Sequence, residues 1–410
     1  MRSLNVFIAT PLGKEGRGGI DRLTDVVLAE LENQPEMQIR ATRLVTRGPL
    51  LVSSPFFLLH ALCRLWAAQR RGDVDLLHIN LSSRGSTLRK AVLARIARGL
   101  NIPYVVHPHA DGRLFGRFWS MVGRGPRYAS SLLASEARAD VTGLRHVLRT
   151  IAWSSLALGF GKEINALFAH SAGIVVLGRD WQQLIASRLV GTEGKIAVLP
   201  NATRSRRDVQ VSASSDRIQI TFLGELGERK GVRELVQALA RLSPQSRWTA
   251  TLAGNGRVAE TAALCSELGI TERTVIPGWL DERRCMQLLA RTDIFVLPSL
   301  AENLPMAILE AFAFGKAVIT TPVGAIPEVI DDERNGLLVP PGDVDALAAA
   351  LDRLIGDDEL RIRLGTTAQM DHALRYDIAP YVARLAGIWR QVMESGYLCE
   401  SRDCPSGRTI

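Results

Sequence analysis

The sequence predicts an α/β protein made of two doubly wound domains of similar size, each a parallel sheet with helices on both faces. Short, uninterrupted runs rich in Val and Ile alternate with helical patterns through most of the chain. A polar stretch at 201–216 breaks the alternation, and a second series of the same kind follows it. Strands buried on both faces read as continuous apolar runs, and the helices between them supply the crossovers of a parallel sheet. A chain of 410 residues is long enough for two such cores.

The first strand is expected at 5–9, followed by a Gly-rich loop and a helix over 20–31. Further strands are expected at 76–79, 104–107, 173–177 and 196–199. The segment NATRSRRDVQVSASSD, 201–216, has no helical stripe and reads as a linker. The second series places strands at 218–223, 248–253, 274–276, 294–297 and 317–320, and an amphipathic helix over 378–394. The expected division is a first domain at 1–200, the linker, a second domain at 217–375, a helical segment at 376–396 packing back towards the first domain, and a polar tail at 397–410. Open α/β sheets bind ligands beyond the carboxyl ends of their strands, so two such domains are expected to face a central cleft.

Lys and Arg outnumber Asp and Glu by 50 to 42, a net charge of +8. That excess suits nucleic acid, an anionic membrane or an acidic substrate, and equally a solvated basic surface. No motif supports nucleic acid. Five cysteines lie scattered without zinc spacing, which suits a reducing cytoplasm. The N-terminal MRSLNVFIATPLG reads as a strand entering a loop and lacks the apolar core of a signal peptide. No run reaches the roughly 18 apolar residues of a spanning helix. A cytoplasmic protein at the inner face of a membrane, not crossing it, is the expectation.

Two segments depart from the alternation. SPFFLLHALCRLWAAQRR, 54–71, is an apolar helix ending in basic residues, and 113–168 is a long insertion that mixes aromatic residues with Arg. Such a mixture fits a surface lying in a membrane interface. It equally fits buried helix packing with snorkelling arginines.

The stretch LPSLAENLPMAILEAFAFG, 297–315, sets Glu302 and Glu310 seven residues apart in an apolar context. Pro305 suits the first turn of a helix, so Glu302 lies in the loop before it and Glu310 inside it. Free N–H groups near 303–306 suit a phosphate, flanked by two carboxylates able to grip sugar hydroxyls. On spacing alone Glu302 could equally be a cap and Glu310 an exposed helix residue.

The wider pattern runs through Pro298, Ser299, Glu302, Leu304, Pro305, Glu310, Ala311, Gly324 and Glu328 to Gly336, Gly342 and Asp343. It resembles the retaining glycosyltransferases of family 4, which have the GT-B fold of two Rossmann-like domains. The resemblance is dense over 195–355 and sparse in the N-terminal half, and it implies that the first domain, 1–200, binds the acceptor and the second, 217–375, the nucleotide sugar. It implies that Glu310 holds the ribose of a nucleotide-sugar donor and that Glu302 binds its sugar ring. It implies that the backbone at Asn303 and Leu304 meets sugar and distal phosphate. In FLGELGERKGV, Lys230 matches the lysine that neutralises the donor pyrophosphate. Glu225 stands where the family often has Arg, and Arg229 is the nearest substitute cation. Gly254, in LAGNGR, and Ile276 would lie near nucleotide and base. In the first domain GRGGIDRL resembles the family's Gly-Gly loop, with Gly18 and Gly19 allowing close approach and unusual dihedrals. In PYVVHPHAD the resemblance favours His109 as the histidine contacting the donor sugar, with His107 a core residue and Asp111 on the acceptor side. His78 and Asn80 read as structural, and Asn201 as a hinge residue.

The resemblance therefore implies a hexosyltransferase that retains anomeric configuration, with His109, Glu302 and Lys230 as its catalytic residues. It needs no metal or other cofactor beyond its nucleotide-sugar co-substrate. The acceptor expected from charge and apolar segments is a lipid-linked saccharide, in bacterial exopolysaccharide or lipopolysaccharide assembly. Two other readings stand beside it: a sugar-nucleotide epimerase or hydrolase of the same fold, and a non-catalytic saccharide- or nucleotide-binding protein.

Overall fold

The computed structural model describes residues 3–14, 16, 18–48, 51–82, 85–109, 163–189, 191–205 and 216–396. Asp111, most of the insertion (113–162), the middle of the linker (206–215) and the tail (397–410) lie outside the described residues. The chain divides into two units, Met1–Leu199 with Val382–Ile410, and Pro200–Tyr381.

The first unit holds a six-stranded parallel sheet in the order β2-β1-β3-β4-β5-β6. Its strands are β1 (Leu4–Thr10), β2 (Ile39–Val45), β3 (Leu76–Leu81), β4 (Tyr104–Pro108), β5 (Gly173–Val176) and β6 (Ile196–Val198). Helices α1 (Gly19–Asn33), α2 (Ser54–Arg71), α3 (Gly85–Gly99) and α4 (Arg179–Arg188) connect or cover them. Strands β3, β4 and β5 are buried throughout, which is why they read as unbroken apolar runs. Leu65 of α2, Leu77 and Ile79 of β3, Phe168 and Trp181 form one core cluster. Strand β2, IRATRLV, escapes the sequence reading because it is an edge strand, half exposed and carrying Arg40 and Arg43.

The second unit repeats the plan in the order β12-β11-β10-β7-β8-β9. Its strands are β7 (Ile218–Leu223), β8 (Trp248–Ala253), β9 (Thr274–Gly278), β10 (Ile294–Leu297), β11 (Ala317–Thr320) and β12 (Leu337–Leu338). Its helices are α5 (Val232–Arg241), α6 (Val258–Glu267), α7 (Glu282–Ala290), α8 (Met306–Ala313), α9 (Val344–Gly356) and α10 (Asp358–Asp371). Strand β12, two residues at the sheet edge, is too short to carry a pattern. Helix α11 (Ile378–Ser395) gives its residues from Val382 onward to the first unit.

Residues 201–205 are held in place. Asn201 Nδ2 donates to the Leu304 carbonyl at 2.7 Å, Thr203 bridges to Asp377, and Ser205 Oγ donates to Asp377 Oδ2 at 2.7 Å. The polar composition that suggested a free linker here supplies hydrogen bonds instead.

Candidate functional site

In the second unit the chain leaves β7 for β8 on one side of the sheet, while β10 pairs with β7 on the other. The loops after β7 and β10 therefore diverge at a topological switch point, where open α/β sheets bind ligands. Lys230 follows β7 and Glu302 follows β10, and the two side chains meet there. Lys230 Nζ lies 2.5 Å from Glu302 Oε1, and Arg229 pairs with the same oxygen. Lys230 and Glu302 are each 11% exposed at the side chain. A charge so enclosed needs a partner, and here one carboxylate serves two cations. Arg229 also donates to the Ala301 carbonyl at 3.1 Å, which fixes its guanidinium towards the site. Glu225 is largely exposed, with its carboxylate 4.0 Å from the Arg229 guanidinium.

Backbone crowding explains two glycines of the pattern. Gly231 has φ 66°, and a Cβ there would lie 1.9 Å from the Pro298 carbonyl oxygen. Gly324 has φ 58°, and its Cβ would lie 2.2 Å from the Glu302 carbonyl oxygen. Only glycine lets these loops close on Lys230 and Glu302. The Asn303 carbonyl accepts from Ala325 N at 2.9 Å, and Asn201 holds the Leu304 carbonyl. Asn201 thus positions the glutamate loop, a role that its sequence context as a hinge residue does not reveal.

Pro305 is the N-cap of α8 rather than a first-turn residue. Glu310 is the fifth helical residue and 7% exposed, so it is not the surface residue that its spacing alone allows. Gly254 follows β8 and its N–H donates to the Gly278 carbonyl at 2.8 Å, while half-buried Ile276 lies in the neighbouring β9. Strand order thus lines up the loops carrying Glu302, Lys230 and Gly254 along one edge.

In the first unit the switch point falls between β1 and β3. Gly18 caps α1 in extended conformation, φ −99°, open to any residue, so the unusual dihedral expected at this loop is absent there. The crowded position is Gly16, where a Cβ would meet Asp21 Cβ at 2.6 Å. Gly19 is the first residue of α1.

His78 in β3, His107 in β4 and His109 just after β4 form an array. Trp389 Nε1 of α11 donates to His78 Nδ1 at 3.1 Å. An indole can only donate, so His78 carries its proton on Nε2 and donates to His107 Nδ1, 3.3 Å away. The His107 ring lies 4.1 Å from that of His109, whose Nε2 donates to Asn80 Oδ1 at 2.9 Å. Burial lowers the pKa of His78 to about 4, and burial with the neighbouring His78 lowers that of His109 to about 3. Both imidazoles are therefore neutral near pH 7.

This array makes stability depend on pH. The folded pKa values lie below the ordinary 6.5, so the unfolded chain binds protons first as pH falls. The contribution is complete above 6.5 and is lost as pH falls towards about 4 for His78 and about 3 for His109. Stability measured by denaturant unfolding is expected to fall steadily from about pH 7 to about pH 4. A flat profile would show that charged imidazoles are tolerated in this core.

Among the described residues no group of three His, Cys, Asp or Glu side chains is arranged to hold a metal. Among them also, no helix is long and apolar enough to cross a membrane.

Solved structures share this architecture. The sucrose-phosphate synthase of Thermosynechococcus elongatus matches with a TM-score of 0.70 at 18% identity, over 96% of this chain and 100% of that one. HepE of Anabaena, in complex with UDP-glucose, matches with a TM-score of 0.64 at 17% identity, over 95% and 100%. These likenesses show the fold, two parallel α/β units of the GT-B type. In sequence, the chain is 34% identical over 188 residues to the lipopolysaccharide core biosynthesis glycosyltransferase LpsE of Rhizobium meliloti (strain 1021), covering 44% of this chain and 54% of LpsE. The chain spans about half the length of the first curated relatives it matches. Residues 204–371, which carry Lys230, Glu302, Glu310 and the loops around them, match the family model described as glycosyl transferases group 1.

Proposed function

We propose that this chain is a retaining glycosyltransferase of family 4 that moves a hexose from a nucleoside-diphosphate sugar to a saccharide acceptor. The Arg229–Glu302–Lys230 cluster at the switch point carries this reading. Its two cations converge on one carboxylate oxygen, with Glu225 only at the margin, 4.0 Å from Arg229, and cations so placed suit the pyrophosphate of a donor. When donor binds, the phosphates take the cations and sugar hydroxyls take the freed carboxylate oxygens. As the bond from the anomeric carbon to phosphate breaks, charge develops on the leaving diphosphate, where Lys230 and Arg229 already stand. Preplaced cations allow the reaction to run without a metal. The acceptor oxygen bonds to the same face of the anomeric carbon and its proton passes to the leaving phosphate. Glu310 holds the ribose, Asn303 and Leu304 present backbone to the sugar, and Gly254 and Ile276 adjoin the nucleotide. His109 keeps the role implied by the resemblance, contact with the transferring sugar, as a neutral imidazole.

Support for a donor of the UDP-hexose type comes from the likeness to HepE bound to UDP-glucose, and for a lipopolysaccharide-type acceptor from the likeness to LpsE. A lipid-linked acceptor and peripheral contact with an anionic membrane fit helix α2. Phe56, Leu59 and Trp66 are 68%, 61% and 50% exposed, and Cys63 lies exposed between them. Their 3-4-3 spacing puts them on one face. The helix has no acidic residue, and Arg70 stacks 4.7 Å over Trp66. This face is therefore not the buried packing that its composition also allowed. Replacing Phe56 and Trp66 together by Ser is expected to lower partition onto phosphatidylglycerol vesicles by more than about tenfold, from the apolar area lost. Unchanged partition would remove α2 from the membrane.

A further inference from the structure

We infer that the first unit carries an anion site of its own, in which Arg47, Arg89 and Lys90 take a phosphoryl group of the acceptor. Naming the ligand as acceptor rests on the function proposed above; the site itself does not.

Lys90, on α3, is fully buried. Its Nζ donates to Thr46 Oγ1 at 2.7 Å, and that hydroxyl donates onward to the Thr10 carbonyl at 2.8 Å. Thr10 ends β1 and Thr46 follows β2, so the ammonium sits at the carboxyl edge of the sheet, where ligands bind. Asp21 is the carboxylate acting on Lys90, and it also accepts from Leu12 N at 3.0 Å.

Arg89 and Arg47 both act on Lys90 and on each other as like charges. Burial and these two neighbours lower the Lys90 pKa to about 7. Arg89 Nε is enclosed without a hydrogen-bond partner among the described residues. A purely structural tie between β1, β2 and α3 would need Lys90 alone. Gathering two more cations beside it, one with an enclosed idle donor, destabilises the free protein. An arriving anion reverses that. With Lys90 poised between its charged and neutral forms near pH 7, Arg47 and Arg89 outnumber Asp21, and a bound phosphoryl group offsets that excess and favours the charged lysine. The guanidinium groups of Arg47 and Arg89 suit the phosphoryl oxygens.

The test titrates the full chain with inorganic phosphate at constant ionic strength, following the thermal midpoint. Wild type is compared with Arg47→Gln, Arg89→Gln and Lys230→Met. A phosphate-dependent rise that survives in Lys230→Met, and weakens by about tenfold or more in affinity in either arginine variant, is expected. No rise in wild type, a rise lost only in Lys230→Met, or wild-type phosphate affinity in both arginine variants would overturn the site. Midpoints without phosphate check that each variant folds. A parallel arm uses phosphatidylglycerol vesicles: reduced vesicle binding with unchanged phosphate affinity would assign the arginines to lipid headgroups and also overturn the proposal. UDP-glucose binding, measured in the same variants, should not respond to Arg47→Gln or Arg89→Gln, so failure of the donor reading shows separately.

Discussion

Replacing Lys230 by Met is expected to lower kcat for sugar transfer by about 10²–10³-fold, the scale of losing one preplaced stabiliser of developing charge. Methionine keeps the length and apolar stem of lysine, and Arg229 still pairs with Glu302, so the loop stays in place. The loss falls on the transition state, because the leaving diphosphate carries more charge there than the bound donor does. Donor binding should weaken less than kcat falls. Steady-state kinetics with the donor varied separate the two, and a loss confined to KM would show that Lys230 only holds the ground state.

Glu302→Gln should act with opposite signs on binding and turnover. In the free protein Glu302 occupies both cations. Glutamine keeps the shape but releases Lys230 and Arg229, so a nucleoside diphosphate no longer competes with a carboxylate for them. Charge-assisted hydrogen bonds are worth about 1.5–3 kcal/mol, and even part of that tightens UDP binding roughly tenfold. Transfer should fall by about 10²-fold, because the sugar ring loses its acceptor carboxylate while the leaving group is held too well. Calorimetry with UDP reads the first effect and product formation the second. Weaker UDP binding in this variant would show that Glu302 does not compete for the phosphate cations.

What could be read from sequence follows from burial. Strands such as β3, β10 and β11 lie inside on both faces and announce themselves as apolar runs. Strand β2 alternates half-exposed positions with arginines, and β12 is two residues long, so neither leaves a pattern. Glu302, Glu310 and Lys230 stand out because their surroundings resemble a known family. Their contact is another matter: Lys230 and Glu302 lie 72 positions apart (302 minus 230), brought together by parallel pairing of β7 with β10 and by contacts between the loops that follow them. The same holds for Trp389 and His78, 311 positions apart, and for Lys90 and Thr46, 44 apart. Local spacing carries no trace of such pairs. Asn201 is the intermediate case, visible in LPNATRS but recognisable as the support of Leu304 only in three dimensions.

Binding of a nucleotide-sugar donor is the claim on which the proposed function stands. The direct measurement is a thermal-shift panel of UDP-glucose, UDP-galactose, UDP-N-acetylglucosamine, GDP-mannose and dTDP-rhamnose on the purified chain and on Glu310→Ala. One donor should raise the midpoint selectively, and Glu310→Ala should weaken its binding by about 1.5–3 kcal/mol, the scale of hydrogen bonds to a charged group. No shift with any of them, or an equal shift in Glu310→Ala, would contradict the donor site described here.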